Sequence, residues 1–152
     1  MPLITIRDLT IGFRGPPLLD GVSCIIEPGQ RIGLLGRNGS GKTTLLRMLN
    51  GEVEPDRGEI AFAPGTRIAS LQQDVPQDVS GRVRDVVATG AVHLNDGDAS
   101  AWRADQRVEY VLARMDLPAD ADFATLSSGM KRRVLLGRAL ASEPDVLLLD
   151  EP

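Results

Sequence analysis

Gly36, Gly41, Lys42 and Thr43 stand at the spacing G-x-x-x-x-G-K-[ST] within the run Gly36-Arg37-Asn38-Gly39-Ser40-Gly41-Lys42-Thr43-Thr44. Gly36, Gly39 and Gly41 let the backbone turn tightly and approach a ligand with no Cβ in the way. Amides left unpaired at the start of the following helix point at an anion, with the helix dipole behind them. Lys42 then reaches the β- and γ-phosphates of a nucleotide, and the Thr43 hydroxyl sits on Mg²⁺. A glycine-rich turn with an exposed lysine is the structural alternative. The apolar run Ile32 to Leu35 before the turn and the helical pattern after it supply the context the motif requires, so the phosphate cradle is the better reading.

A second chemical feature lies at Asp150-Glu151, directly after the apolar run Val146 to Leu149. An acid at the C-terminal end of a buried strand, in a chain with a phosphate loop, is placed to hold Mg²⁺ through water. Glu151 could polarise a water for attack on the γ-phosphate. Carboxylates at a helix start are the bland alternative; the phosphate loop in the same chain favours the metal and water-activating pair.

The elements that must position these groups read as an α/β chain. Leu3 to Arg7 alternate apolar and polar residues as a half-buried strand does, and a second short strand is expected near Leu9 to Phe13. Gly15-Pro16-Pro17 forces a turn. Asp20-Gly21 is a hairpin signal ahead of the run Val22 to Glu27, in which Val22, Cys24 and Ile26 share a face. Cys24 is read as a small core residue. Ile32 to Leu35 is expected as a short buried strand, followed by a helix from Lys42 that carries Leu45, Leu46 and Leu49 and stops at Gly51. Gly58 to Phe62 and Thr66 to Leu71 read as strands joined around Pro64-Gly65. Arg82 to Thr89 and Asp105 to Met115 have helical spacing, with a polar loop from His93 to Ser100 between them. Ser127 can cap a helix from Ser128 to Ala141. Val146 to Leu149 is expected to be a parallel strand buried on both faces.

Leu126-Ser127-Ser128-Gly129-Met130 resembles the signature Leu-Ser-Gly-Gly-Gln of ABC (ATP-binding cassette) ATPases, and Gly137-Arg138-Ala139-Leu140 and Asp145 to Pro152 fit the same family. The resemblance covers essentially the whole chain. It implies a P-loop NTPase fold of the ABC type, with an N-terminal antiparallel β subdomain and a helical subdomain. Gly36 to Thr44 takes the place of Walker A and Val146 to Asp150 that of Walker B. Of the cradle, Gly36, Asn38, Gly39, Ser40, Gly41, Lys42, Thr43 and Thr44 would hold ATP. Gln73, with Gln72 as the near alternative, falls at the Q-loop glutamine, which serves the metal and catalysis with Lys42 and Glu151. Phe13, by residue type alone a core-strand residue, matches the aromatic that stacks on adenine. Thr43, Asp150 and Gln73 are the implied Mg²⁺ ligands. Ser127 and Gly129 would contact ATP held by the Walker A of an opposite ABC domain. Ser128 and Met130 depart from the family's signature at the first glycine and the terminal glutamine.

The expected organisation is a single incomplete ABC domain. Its β subdomain and phosphate-loop core cover 1–75, its helical subdomain about 76–141, and its Walker B strand 145–152. The D-loop, a further core strand and the H-loop histidine that follow Asp-Glu-Pro in the family are absent. The polypeptide is therefore expected to be marginally stable and nearly inactive alone, because an unpaired row of backbone groups in a sheet is costly. Gly36-Arg37-Asn38-Gly39, Leu71-Gln72-Gln73-Asp74 and Val83 to Gly90 look most like the soluble ABC-F proteins, in particular the Uup-like branch. Those carry two ABC domains in one chain and act on ribosomes or nucleic acid; their long helical arm would be short here, between Gly90 and Asp105. The ATP-binding subunit of a membrane transporter, docked on a permease, is the runner-up. A non-catalytic fragment that binds nucleotide is the third reading. A GTPase would carry a guanine-reading Asn-Lys-x-Asp, and no such run occurs.

Composition fits this reading without determining it. The 152 residues are 42% hydrophobic and 25% charged, enough for one globular domain with a core. A formal net charge of −4 gives no chain-wide signal for nucleic acid. One cysteine cannot form an internal disulfide, and no apolar run approaches the roughly 20 residues of a membrane span. The N-terminus lacks a charged segment ahead of an apolar one, so the expected location is the cytoplasm.

Overall fold

Ile4, Ile6, Leu9 and Ile11 are all buried along one strand, and the sheet of the first of two structural units, residues 1–68, forms around them. The computed structural model describes residues 1–13, 15–71, 74–76, 78–94 and 98–150. Strand β1 (Ile4–Ile11) lies at the centre of a three-stranded sheet, with β2 (Leu19–Ile26) and β3 (Arg57–Phe62) antiparallel on either side.

β1 is one strand rather than the two expected. Asp8, at φ 47°, is an extra residue against both neighbours, and the register shifts there toward β2 and toward β3. The bulge changes the parity of the alternation, so Ile6 and Leu9 can both face inward although they are three residues apart. The Ser23 hydroxyl accepts from the Asp8 N–H at 2.8 Å, which satisfies the amide that the bulge displaces. Asp20-Gly21 is likewise not a hairpin turn. Gly21, at φ 59°, makes a second register shift inside β2, and the chain reverses earlier, where the Leu18 N–H donates to the Ile11 carbonyl at 2.7 Å. Cys24 is exposed, which overturns its assignment to the core: β2 is an edge strand, and only Leu19, Val22 and Ile26 along it are half-buried.

Helix α1 (Lys42–Leu49) buries Met48 and Leu49. It ends as expected at Gly51, at φ 74°, whose N–H donates to the Met48 carbonyl while the Glu52 N–H donates to that of Arg47. That pair of bonds is a Schellman stop. The strand expected at Ile32 to Leu35 does not form: the backbone there has no regular structure, and Ile32 and Leu35 are 56% and 97% exposed. A central strand draws its burial from hydrogen-bonded neighbours on both edges, and no described strand pairs with this segment.

The second unit, residues 69–152, is mainly helical. Strand β4 (Ile68–Leu71), after the Pro64-Gly65 turn, pairs with β5 (Val146–Leu149) and not with β3. Only Leu148 of β5 is buried and Leu149 is exposed, so the expectation of burial on both faces fails; a two-stranded sheet leaves β5 with a single neighbour. Helix α2 (Val83–Ala88) runs into a 3₁₀ turn over Thr89–Leu94. Its first amides are satisfied from outside: Val83 donates to the Ala121 carbonyl and Arg84 to that of Ala119, both at 3.0 Å. Helix α3 (Asp98–Arg114) begins seven residues earlier than the apolar spacing indicates, so both ends of the loop expected from His93 to Ser100 are helical, and 95–97 lie outside the described residues. Helix α4 (Ser128–Ala141) matches the sequence expectation at both ends. Val83, Val86 and Val87 of α2, Val108, Val111 and Leu112 of α3, Val134 and Leu135 of α4, and Phe123 form one buried cluster. Arg107 ties α3 to the end of α4 by donating to the Leu140 carbonyl at 3.2 Å.

Candidate functional site

The sequence Gly36 to Thr44 folds into a closed turn at the head of α1. The Ser40 N–H donates to the Arg37 carbonyl at 3.1 Å, and the helix starts when Leu45 N–H reaches the Gly41 carbonyl at 2.9 Å. Gly39 and Gly41 have φ of 81° and 95°, in the left-handed region that favours glycine. At Gly36 a Cβ would meet the Ser40 side chain, so a larger residue would have to displace the Ser40 hydroxyl. Gly41 occupies the cap position of α1, and no side chain caps the helix. The first amides of α1 therefore face out with the positive end of the helix dipole.

Lys42 folds back over this turn. Its Nζ donates to the Gly36 carbonyl at 2.7 Å and to the Arg37 carbonyl at 3.1 Å. The ammonium thus sits at the mouth of the loop, and an ammonium has three donors, so one more is available to an incoming oxygen. Asn38, Gly39, Ser40 and Thr43 are exposed, and Thr44 is half-buried. An open turn with uncapped amides, a lysine ammonium and two threonine hydroxyls is an anion site by chemistry. Phe13, just past the end of β1, is 67% exposed. Such a ring is free to stack on a flat ligand and contributes little to the core.

In the second unit, Asp150 follows β5 and is half-buried. Its N–H donates to the Leu71 carbonyl at 3.4 Å, so β4 and β5 end side by side. Gln72 and Gln73 after β4, and Glu151 after Asp150, lie outside the described residues. Ser127 caps α4: its side-chain oxygen accepts from the Met130 N–H at 3.3 Å. Ser127, Ser128 and Gly129 are exposed, and there is open space where a Cβ on Gly129 would be. The structure thus gathers Gly36 to Thr44 into one loop in the first unit. Ser127 and Gly129 share one helix start, and Asp150 lies at one strand end, in the second.

Sequence reasoning missed two things here. The Gly36 and Arg37 carbonyls hold the Lys42 ammonium, and backbone acceptors leave no residue-type signal. The outward face of α3 is the other: it carries Trp102 and Tyr110, which helical spacing places off the apolar stripe.

A lysine-closed glycine turn heading a helix, an antiparallel sheet in the same unit, and a helical unit ending in a strand with an acid define an α/β ATP-binding domain of the ABC type. The chain belongs to the ABC transporter family, which it matches over residues 19–152. It is 36% identical to the ATP-binding protein Uup of Escherichia coli (strain K12) and 33% identical to that of Haemophilus influenzae, across its whole length. It spans only 29% and 28% of those two proteins. It is also 40% identical, over 89% of its length and 47% of the relative's, to the Nod factor export ATP-binding protein I of Burkholderia pseudomallei. Among solved structures, CbiO1 of Clostridium perfringens, part of the ABC transporter complex CbiONQ, superposes with a TM-score of 0.81 at 29% identity. That match covers 99% of this chain and 66% of the other. A metal-chelate type ABC transporter in an inward-facing conformation gives 0.79 at 28% identity, with 60% of its chain covered. No helix among the described residues is long and apolar enough to cross a membrane.

Proposed function

We propose that this chain is the nucleotide-binding part of a cytoplasmic ATPase of the ABC-F type, Uup-like, which hydrolyses ATP with Mg²⁺ while acting on ribosomes or nucleic acid. The observation that carries the nucleotide is the Lys42 ammonium held over the loop mouth by the Gly36 and Arg37 carbonyls. A triphosphate tail replaces solvent against the uncapped amides of α1, and the ammonium pairs with its β- and γ-oxygens. Phe13 stacks on the adenine.

The donors assigned to Mg²⁺ are the Thr43 hydroxyl, the Asp150 carboxylate and the Gln73 amide oxygen. All are hard oxygen ligands, the kind Mg²⁺ prefers. When bound, the ion neutralises charge on the phosphates. Glu151 orients and deprotonates the attacking water. Ser127 and Gly129 present a hydroxyl and a helix start to ATP held by a second ABC domain, in the same chain or a partner. In this scheme residues 1–75 are the β subdomain and phosphate-loop core, 76–141 the helical subdomain and 145–152 the Walker B strand.

Identity to the two Uup proteins along the whole chain supports the ABC-F branch. The alignments to both run over 183 positions, longer than this chain, so each of those proteins carries an insertion relative to it. Identity of 40% to an export ATP-binding protein supports a second reading, a transporter's ATP-binding subunit docked on a permease. The complete reading frame separates them: a second glycine–lysine loop downstream fits ABC-F, and a neighbouring permease gene fits transport. The chemistry is tested by Glu151→Gln in the complete protein. A general base contributes about 10²- to 10⁴-fold, so turnover should fall by that order while ATP binding persists. Unchanged turnover would remove Glu151 from the base role, whereas ATP binding without turnover in the parent protein would favour a non-catalytic nucleotide-binding module.

A further inference from the structure

Helix α3 buries Ala104, Val108, Val111 and Leu112 and turns an aromatic, basic face to solvent. Trp102 and Tyr110 are 63% and 57% exposed. By helical spacing they share an arc of about 140° with Arg103, Gln106, Arg107 and Arg114. Arg103, Gln106 and Arg114 are exposed, and among the described residues Arg103 and Arg114 make no hydrogen bond or ion pair. Arg107 is already engaged, by the Leu140 carbonyl, by the ring of Tyr110 at 5.2 Å and by Glu143 at 3.7 Å. The acids of the helix beyond Asp98 are Asp105 and Glu109; both fall just outside the arc on its Trp102 side, Glu109 about 20° from it, and Glu109 is paired with Arg84. A chain with a net charge of −4 thus carries no carboxylate of α3 on this arc.

We infer that the outward face of α3 is an RNA-binding surface that takes unpaired nucleotides, with Trp102 and Tyr110 as stacking platforms and Arg103 and Arg114 as phosphate contacts. Two rings about 12 Å apart along a helix axis, with guanidinium groups between and beyond them, match what a single strand offers: flat bases and a regular anionic backbone. The face is poorly suited to an apolar partner, because Gln106 and the arginines stand between the rings where aliphatic residues would be needed. This assignment rests on the ribosome or nucleic-acid part of the function proposed above and names the surface that does it; it owes nothing to the phosphate loop.

The test uses the complete protein and a fluorescein-labelled, 4-thiouridine-containing single-stranded RNA of 20 nucleotides. Photocrosslinks should map to the peptide bearing Trp102 and Tyr110. Trp102→Ala should weaken binding about tenfold, within the range for losing one stacked base. The double variant Arg103→Glu, Arg114→Glu should weaken it more than tenfold and flatten the salt dependence by about 1.4 in log K against log salt, two phosphates at about 0.7 each. Unchanged melting temperature and ATP affinity in these exposed-site variants separate surface loss from misfolding. RNA binding with crosslinks elsewhere and no response to the variants would sink this surface while leaving the nucleic-acid reading intact. No RNA binding at all would sink both, and tighter binding of DNA of the same sequence would overturn the RNA assignment.

Discussion

Lys42 Nζ and the Gly36 carbonyl oxygen are 2.7 Å apart, so the residue that begins the helix is tied to the residue that opens the turn. The same ammonium also holds Arg37. The lysine side chain therefore ties the head of α1 back to the start of the turn.

Replacing Lys42 by alanine removes both bonds and the charge-assisted contact proposed to phosphate. Hydrogen bonds to charged groups are worth about 1.5–3 kcal/mol, so ATP affinity in the complete protein should fall roughly 10- to 100-fold. Calorimetric titration checks it. The melting temperature should move little, because both bonds lie on the exposed side of the loop. A variant that binds ATP as tightly as the parent would take Lys42 out of the site.

Gly58 sits opposite the Asp8 bulge at φ 85°, and a Cβ there would overlap the carbonyls of Arg7 and Asp8. Gly65 has a similar φ of 77° with open space around it. Gly65→Ala should therefore cost only the left-handed strain, about 1–2 kcal/mol. Gly58→Ala adds backbone collision and should cost at least about 3 kcal/mol. Denaturant unfolding of the two variants measures the difference, and equal losses would mean the bulge yields.

Much of this was readable from residue types, and the failures share a cause. Ser127 before α4, Gly51 after α1 and the turn at Gly36 to Thr44 are local devices, settled by a few neighbouring residues, and each stands where the sequence places it. Ile32 to Leu35, Cys24 and Leu149 are apolar residues whose burial depends on neighbours far along the chain, and all three expectations failed on exposure. The bulge misled in another way: Asp8 interrupts the alternation, which reads as a strand end, while the backbone continues through it.

Ser127 has one observed job and one proposed one, and the two are separable. As the cap of α4 its oxygen accepts from Met130 N–H at 3.3 Å, and its removal by alanine should cost about 1 kcal/mol of stability. In the proposed role it also meets ATP across a pair of ABC domains. Ser127→Asp keeps an acceptor for the cap and puts a negative charge toward phosphate. It should retain the stability of the parent and lose turnover, whereas a purely structural serine would leave turnover unchanged. A thermal melt and a phosphate-release assay on the complete protein read the two effects apart.

Gly90, in the 3₁₀ turn after α2, lies so near α4 that a Cβ would overlap the Arg138 carbonyl. Neither the turn nor the helix can give way cheaply, because Val86 and Val87 on one side and Val134 and Leu135 on the other belong to the same buried cluster. Gly90→Ala should destabilise the helical unit by about 3 kcal/mol or more, the range of overpacked and strained core sites. Gly129→Ala, with open space at its Cβ position in the first turn of α4, should be neutral or stabilising by up to about 1 kcal/mol through helix propensity. Amide hydrogen exchange locates the effect. Protection should fall across α2 and α4 in the first variant and hold in the second. If exchange stays slow in both, the close approach of Gly90 to α4 is not what sets the spacing of these helices.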